Sequence, residues 1–345
     1  MANRTAFGGE NPFNVDPEAD LLHQPDLTVE GWSENMFFQF GDPVSGISVR
    51  THCGTHHGDS ELWRGLFILF LNEDELLVSR SFGRADDNRG PNAGNIRFRC
   101  TELHRRWQLV FDGATERVTT LDAAGRLVGS GPTEPLKLEL EFEAMAPVFD
   151  LFGALKAGPT EWAKFHHQQA FRASGAVMIG GQAIPLSGFG YRDHSVGGRN
   201  LKDFGGDHFA HASFESGRVV MANEGIKRLS GELTTQIGYL WEDHFMTVLG
   251  VRELPTLRTT DGEPSSFALG LELNGEEIRL KGQTLHAATM TICDPHDRSL
   301  GVNVRQNDPL VIVECPISLD WTDGETGYGM LERNQRMTTV ELRGG

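Results

Sequence analysis

The 345-residue sequence predicts an all-β protein, and three stretches carry that expectation. Residues 136–143, LKLELEFE, put Leu136, Leu138, Leu140 and Phe142 on one side and Lys137, Glu139, Glu141 and Glu143 on the other. Alternation with period two marks a half-buried strand. Residues 269–280, LGLELNGEEIRL, alternate leucines up to Asn274-Gly275 and resume with Ile278 and Leu280. Asn-Gly supplies the positive φ values that a two-residue hairpin turn needs. Finally, sliding Phe38–Gly54 onto Phe209–Gly225 matches Phe38/Phe209, Ser45/Ser216, Gly46/Gly217, Val49/Val220 and Gly54/Gly225. This is the pattern of a duplicated strand–turn–strand.

The remaining elements follow the same rule. GLFILFLNEDELLVSRSF reads as two strands around an acidic turn, and PLVIVECPISLDW as another strand region. Short strands at regular intervals favour sandwiches or barrels over an alternating α/β sheet. The one helix candidate is PVFDLFGALKAG at 147–158, with Val148, Leu151, Phe152 and Leu155 at helical spacing and Gly158 as its stop. Its mid-chain place makes it a connection between two halves, 1–155 and 156–345, meeting near residues 150–165.

Composition narrows the function classes. A net charge of −17 opposes binding to nucleic acid, whose phosphates need a basic footprint, and to anionic membrane surfaces. Cys53, Cys100, Cys293 and Cys315 form no C-x-x-C pair and read as reduced, buried thiols. The opening MANRTAFGGENPF lacks an apolar signal core, and the run Leu66–Leu71 is too short to span a bilayer. The expectation is a soluble, cytoplasmic protein, with homo-oligomerisation left open. Dinucleotide, P-loop, zincin and nucleophile-elbow motifs are all missing, so no cofactor is expected.

Several clusters carry chemistry-bearing residues. THCGTHHGD offers His52, Cys53, His56, His57 and Asp59, which have the softness for a transition metal but no distant partner pair, so a polar loop is the better reading. WEDHF and GDHFAHASF pose Asp243 with His244 and His208 with His211; alternation could bring the latter two to one face. The densest cluster is GFGYRDHSVGGRN at 188–200, where glycines surround Tyr191, Arg192, Asp193, His194 and Arg199. The glycines place it on a shaped turn. One alternative is structural: an Arg192–Asp193 ion pair stitches the loop and His194 caps a carbonyl. The other is an acid–base unit in which burial raises the Asp193 pKa, His194 titrates nearby, and Arg192 with Tyr191 fixes the pair.

The pattern G-x-G-Y-R-D-H-S-x-G-x-R resembles the signature of the tandem lipocalin-like family that contains hydroxyneurosporene synthase (carotenoid 1,2-hydratase), kievitone hydratase, AttH-like proteins and, more remotely, fungal decalin-forming Diels–Alderases. WSENMFFQF with Trp32 and Glu34, KFHHQQAFRASGAVMIGG with His166 and Gln169, and GYGMLERNQR with Glu332 fall where that family would place them. The family often has Trp after the Ser; here Val196 stands there. The resemblance implies two lipocalin-like β-barrel domains in tandem, the second carrying the RDHS motif. It also implies a cofactor-independent hydratase or dehydratase, a carbon–oxygen lyase, acting on a hydrophobic terpenoid, steroidal or phenolic molecule. Asp193, His194, Arg192 and Tyr191 would be catalytic, and Trp32, Glu34, His166, Arg199 and Glu332 would bind substrate. A carrier of hydrophobic ligands and an isomerase or cyclase are the alternatives on the same fold.

Overall fold

The structure, a computed structural model, describes residues 13–71, 74–126, 128–156, 163–243, 245–255, 265–293 and 297–337. The first sheet holds β1 (Ser33–Gly41), β2 (Ser48–His56), β3 (Asp59–Phe70), β4 (Glu75–Arg84), β5 (Ile96–Glu102), β6 (Arg106–Thr119), β7 (Thr133–Ala144), β8 (Phe149–Asp150), β9 (Phe165–Ile179) and β10 (Gln182–Gly197). Eight of these close an antiparallel ring in the order β10-β1-β2-β3-β4-β6-β7-β9, because β10 pairs with both β1 and β9; β5 and β8 lie outside it. The second sheet holds β11 (Phe204–Ser213), β12 (Val219–Lys227), β13 (Leu233–Glu242), β14 (Phe245–Glu253), β15 (Ser266–Leu273), β16 (Glu276–Thr284), β17 (Ala288–Cys293), β18 (Asp297–Leu300), β19 (Leu310–Asp320) and β20 (Thr326–Arg336). It closes as β16-β15-β14-β13-β12-β11-β20-β19. The protein is thus two closed eight-stranded barrels in tandem, which removes the open edges a flat sheet would expose.

The local signals sit where the chemistry puts them. In β7, Leu136, Leu138, Leu140 and Phe142 are buried and the charged residues between them are exposed. Asn274 and Gly275 turn with φ of 53° and 86° between β15 and β16. The repeated segments are the β1–β2 and β11–β12 hairpins, the opening hairpin of each barrel. Barrel one is filled by aromatic side chains, among them Phe38, Phe67, Trp107, Phe111, Phe142 and Phe171, all without solvent exposure or nearly so.

Two expectations are corrected. The division falls between Asn200 and Leu201, not at 155/156, so β9, β10 and the whole RDHS motif belong to the first unit. The cause is closure: barrel one is completed only when β10 returns beside β1. The helix near the middle is also shorter. Residues 149–150 pair with β9, and α2 spans only Leu151–Leu155 after its cap Asp150, ending at Lys156 with φ 53°; Gly158 lies outside the described residues. The other short helix is α1 (Thr120–Ala124), which belongs with the second unit. No helix among the described residues is long and apolar enough to cross a membrane.

Candidate active site

The stretch expected on a turn is regular strand: Gly188–Gly197 is the last part of β10. Its glycines serve close approach. A Cβ on Gly188 would stand 2.0 Å from the Gly41 carbonyl oxygen, and one on Gly190 would stand 2.4 Å from the Phe142 ring. Successive strand side chains face opposite ways, so the motif is split. Arg192 lies opposite Phe38 and His194 opposite Met36, both core residues of barrel one. These two therefore point inward, while Tyr191 and Asp193 point outward.

The inward residues are tied to the segment before β1. Arg192 is fully buried and donates to Asp20 Oδ1 at 2.7 Å and to Gln169 Oε1 at 3.2 Å, with its guanidinium 4.8 Å from the Trp107 ring centroid. Asp20 ends the single 3-10 turn Pro17–Asp20. Burial pushes the Asp20 carboxyl up, but the Arg192 and His104 charges outweigh it and hold the pKa below its ordinary value. Glu34 Oε1 accepts from His194 Nε2 at 2.8 Å and from His23 Nδ1 at 2.9 Å. Burial also works against the Glu34 charge, and those two hydrogen bonds override it. Burial lowers the His194 pKa despite Glu34, and because a carboxylate only accepts, the Nε2 that faces Glu34 carries a proton. His194 Nδ1 has no hydrogen-bond partner.

Ligand atoms of His23, Glu34 and His194 lie within 4.8 Å of one another, a donor set that suits zinc. A metal-bound imidazole almost always donates its second N–H to a partner, and His194 Nδ1 has no acceptor. The set fits a carboxylate shared between two imidazoles better than a metal centre. The THCGTHHGD residues do not converge. Cys53 is in the core with its thiol pushed up by burial, His52 faces the opposite side of β2, His57 is exposed, and Asp59 pairs with Arg84.

On the outward face, Asp193 contacts His166 Nε2 across β9 and β10. The Asp193 side chain keeps 24% exposure and His166 12%. Burial raises the Asp193 pKa, but His166 and then the Arg199 and His194 charges bring it below the ordinary value. Asp193 is therefore a carboxylate, not the raised acid expected from the sequence. Around it, Tyr191 Oη donates to Gln168 Oε1 at 3.3 Å, and Phe37 stands opposite both Asp193 and His52 in register. The Arg50 guanidinium lies 5.2 Å from the Phe37 ring centroid. Arg199, at φ 53°, donates to the Ser195 carbonyl at 2.9 Å and hydroxyl at 2.7 Å.

Arg192 and Asp193 thus form no pair with each other, and His194 caps no carbonyl. Val196, in the place of the family's Trp, is buried opposite Glu34. Trp32 is half-buried just before β1, and Glu332 lies on β20 opposite Phe209 and Glu314. His208 and His211 are three apart and so face opposite sides of β11, with His208 on the side of the core residues Ala210 and Ala212. Asp243 turns with φ 50°, and His244 lies outside the described residues. Asp20, His23, Phe37, Arg50 and Gln168 carry no sequence signal: strand register identifies Phe37, Arg50 and Gln168, and the packing of the segment before β1 brings in Asp20 and His23.

Solved structures share this architecture. A putative AttH from Nitrosomonas europaea is 13% identical with a TM-score of 0.56, covering 90% of this chain and 96% of its own. Kievitone hydratase from Nectria haematococca is 10% identical with a TM-score of 0.52, covering 97% of each chain. CghA with Sch210972 is 10% identical with a TM-score of 0.51, covering 96% of this chain and 98% of its own. At such identities the likeness is one of fold. No curated protein matches by sequence. The model of a domain of unknown function, DUF7064, matches residues 16–337, and the chain belongs to that family.

Proposed function

We propose that this protein is a carbon–oxygen lyase, a hydratase or dehydratase, acting on an apolar small molecule at the outward face of β10. The observation that carries the reading is the Asp193–His166 pair: a carboxylate held ionised, reachable by solvent and bordered by Phe37. A fixed carboxylate of this kind is a general base. In dehydration, Asp193 takes a proton from the carbon beside the carbinol carbon. The C–O bond breaks, the alkene forms, and the same carboxyl returns the proton to the departing oxygen, releasing water. Hydration is the reverse, and no cofactor is consumed. His166 Nε2–H holds the carboxylate in place throughout, and Arg199 adds positive charge nearby. The name of kievitone hydratase, a fold relative, agrees with this class.

The test is mass spectrometry on small molecules retained by the purified protein, followed by their incubation with it in water carrying heavy oxygen. The expected result is a product differing by one water, labelled in the hydrating direction and absent with Asp193→Asn. A product of unchanged mass would make the protein an isomerase or cyclase, for which an ionised Asp193 would also serve as base. A ligand returned unaltered would make it a carrier.

A further inference from the structure

Beside Asp193, the outward face of barrel one carries a second polar group, the Gln168 amide. Phe37, Asp193, Gln168 and Phe149 stand opposite one another in register across β1, β10, β9 and β8, so one carboxylate and one amide lie between two phenyl side chains. Directly opposed residues hold their Cβ atoms about 4.5–5.5 Å apart, which sets the Gln168 side chain next to the Asp193 carboxylate. Gln168 Oε1 accepts from Tyr191 Oη at 3.3 Å, so Nε2 with its two hydrogens is the amide's donor end. Among the described residues that Nε2 meets no acceptor. The row opens to solvent at Asp193, which keeps 24% exposure.

The strength of the base limits what it can deprotonate. A carboxylate is a weak base, with an ordinary pKa of about 3.9. Burial raises that value for Asp193, but the His166 contact and the Arg199 charge bring it below the ordinary one. Proton transfer follows Brønsted behaviour, so such a base takes a proton from carbon only where that carbon is acidified. A neighbouring carbonyl does this, because the electron pair moves onto its oxygen as an enolate. An ionised carboxylate also lacks the proton that hydration of an isolated alkene would require. The enolate oxygen needs a donor placed where its charge develops, and Gln168 Nε2 is a donor beside the base.

We infer, building on the lyase reading of Asp193, that its substrate is a β-hydroxy ketone or aldehyde, its product the matching enone, and that Gln168 Nε2 donates to the carbonyl oxygen. Asp193 takes the proton from the carbon between the carbonyl and the carbinol, and the C–H electron pair forms the enolate. The carbonyl re-forms as the C–C double bond appears and the C–O bond breaks. The departing hydroxyl takes the proton from Asp193 and leaves as water, so no other reactant is consumed. A substrate carboxylate in place of the carbonyl fits less well, because its enolate would bring a second negative charge beside Asp193.

The experiment follows three probes by NMR in heavy water with the full chain, each against a blank without protein. They are 4-hydroxy-4-phenylbutan-2-one, which has both groups, 1-phenylbutan-1-ol, which lacks the carbonyl, and 4-phenylbutan-2-one, which lacks the hydroxyl. The expected result is conversion of the first to 4-phenylbut-3-en-2-one, no dehydration of the second, and deuterium entering the third beside its carbonyl. Gln168→Glu keeps the acceptor for Tyr191 but has no N–H. It should lower kcat for the first probe about 10²–10³-fold, the span for one oxyanion donor, with KM little changed. The probes need no variant, so they decide even where Gln168→Glu does not fold. Dehydration of 1-phenylbutan-1-ol would overturn the carbonyl requirement and leave the lyase reading standing. Deuterium exchange without dehydration of the hydroxy ketone would overturn the lyase reading, and the substrate class with it. Absence of both exchange and dehydration would overturn the inference, and an unchanged kcat in folded Gln168→Glu would remove Gln168 from it.

Discussion

The inner and outer faces of β10 carry the same motif and do opposite things with it. Inside barrel one, Arg192 and His194 have no exposure and meet carboxylates from the chain's N-terminal part, Asp20 and Glu34. Outside, Asp193 pairs with the His166 imidazole and keeps part of its surface open. The inner groups are shut away from solvent with their carboxylates, while the outer carboxylate keeps part of its surface exposed. The difference teaches that density of charged residues marks a strand worth attention, and that register decides which of them can meet a substrate.

Breaking the outer pair should have the largest effect on chemistry. Asp193→Asn and His166→Asn are each expected to cut turnover by about 10²–10⁴-fold, the span for a general acid or base, a loss far larger than the accompanying fall in stability can produce in protein that is still folded. Steady-state kinetics beside thermal unfolding checks both halves. Breaking the inner pair should instead cost stability. Arg192→Met strands the Asp20 charge in the interior, a loss of about 3–5 kcal/mol in unfolding free energy. Urea titration should show that adding Asp20→Asn recovers much of it.

Acid sharpens the comparison. His167, opposite His194 on the inner face, is pushed down to about 3 by burial and by the His194 and Arg192 charges. Its unfolded value is about 6.5, so the unfolded chain binds the proton first as pH falls. Stability from this group is complete above that value and is lost downward toward pH 3, by about 1.4 kcal/mol per pH unit. His167→Gln should flatten the slope of unfolding free energy over that range. Asp193 behaves in the same sense at lower pH: its depressed pKa stabilises the fold above the ordinary carboxylate value, and that contribution is lost as pH falls below it. The smallest effect belongs to Tyr191→Phe, which removes one 3.3 Å hydrogen bond to Gln168. About 1 kcal/mol or less of stability is expected to go, visible as a small shift in the urea midpoint.

Much of the fold was legible because alternation and turn chemistry are local. LKLELEFE and Asn274-Gly275 specify strand and hairpin within a few residues, and the repeat found the opening hairpin of both barrels. The boundary was not legible, because ring closure by β10 beside β1 is a pairing between residues far apart in sequence. The site was half legible. GFGYRDHSVGGRN and His166 were found, but the glycines were read as turn formers when Gly190 makes room for the Phe142 ring. Asp20 and His23 have no motif around them, and only the folded chain brings them to Arg192 and Glu34.

The central claim is that Asp193 works with His166 and independently of its sequence neighbour Arg192. A pair of double-mutant cycles on turnover tests it, using Asp193→Asn with His166→Asn and Asp193→Asn with Arg192→Lys, which keeps a cation beside Asp20. For the first cycle the expected result is strong non-additivity, with the double variant little worse than either single one. For the second, the expected result is additivity within about 0.5 kcal/mol. Additive effects for Asp193 and His166 together with strong coupling of Asp193 to Arg192 would contradict the account.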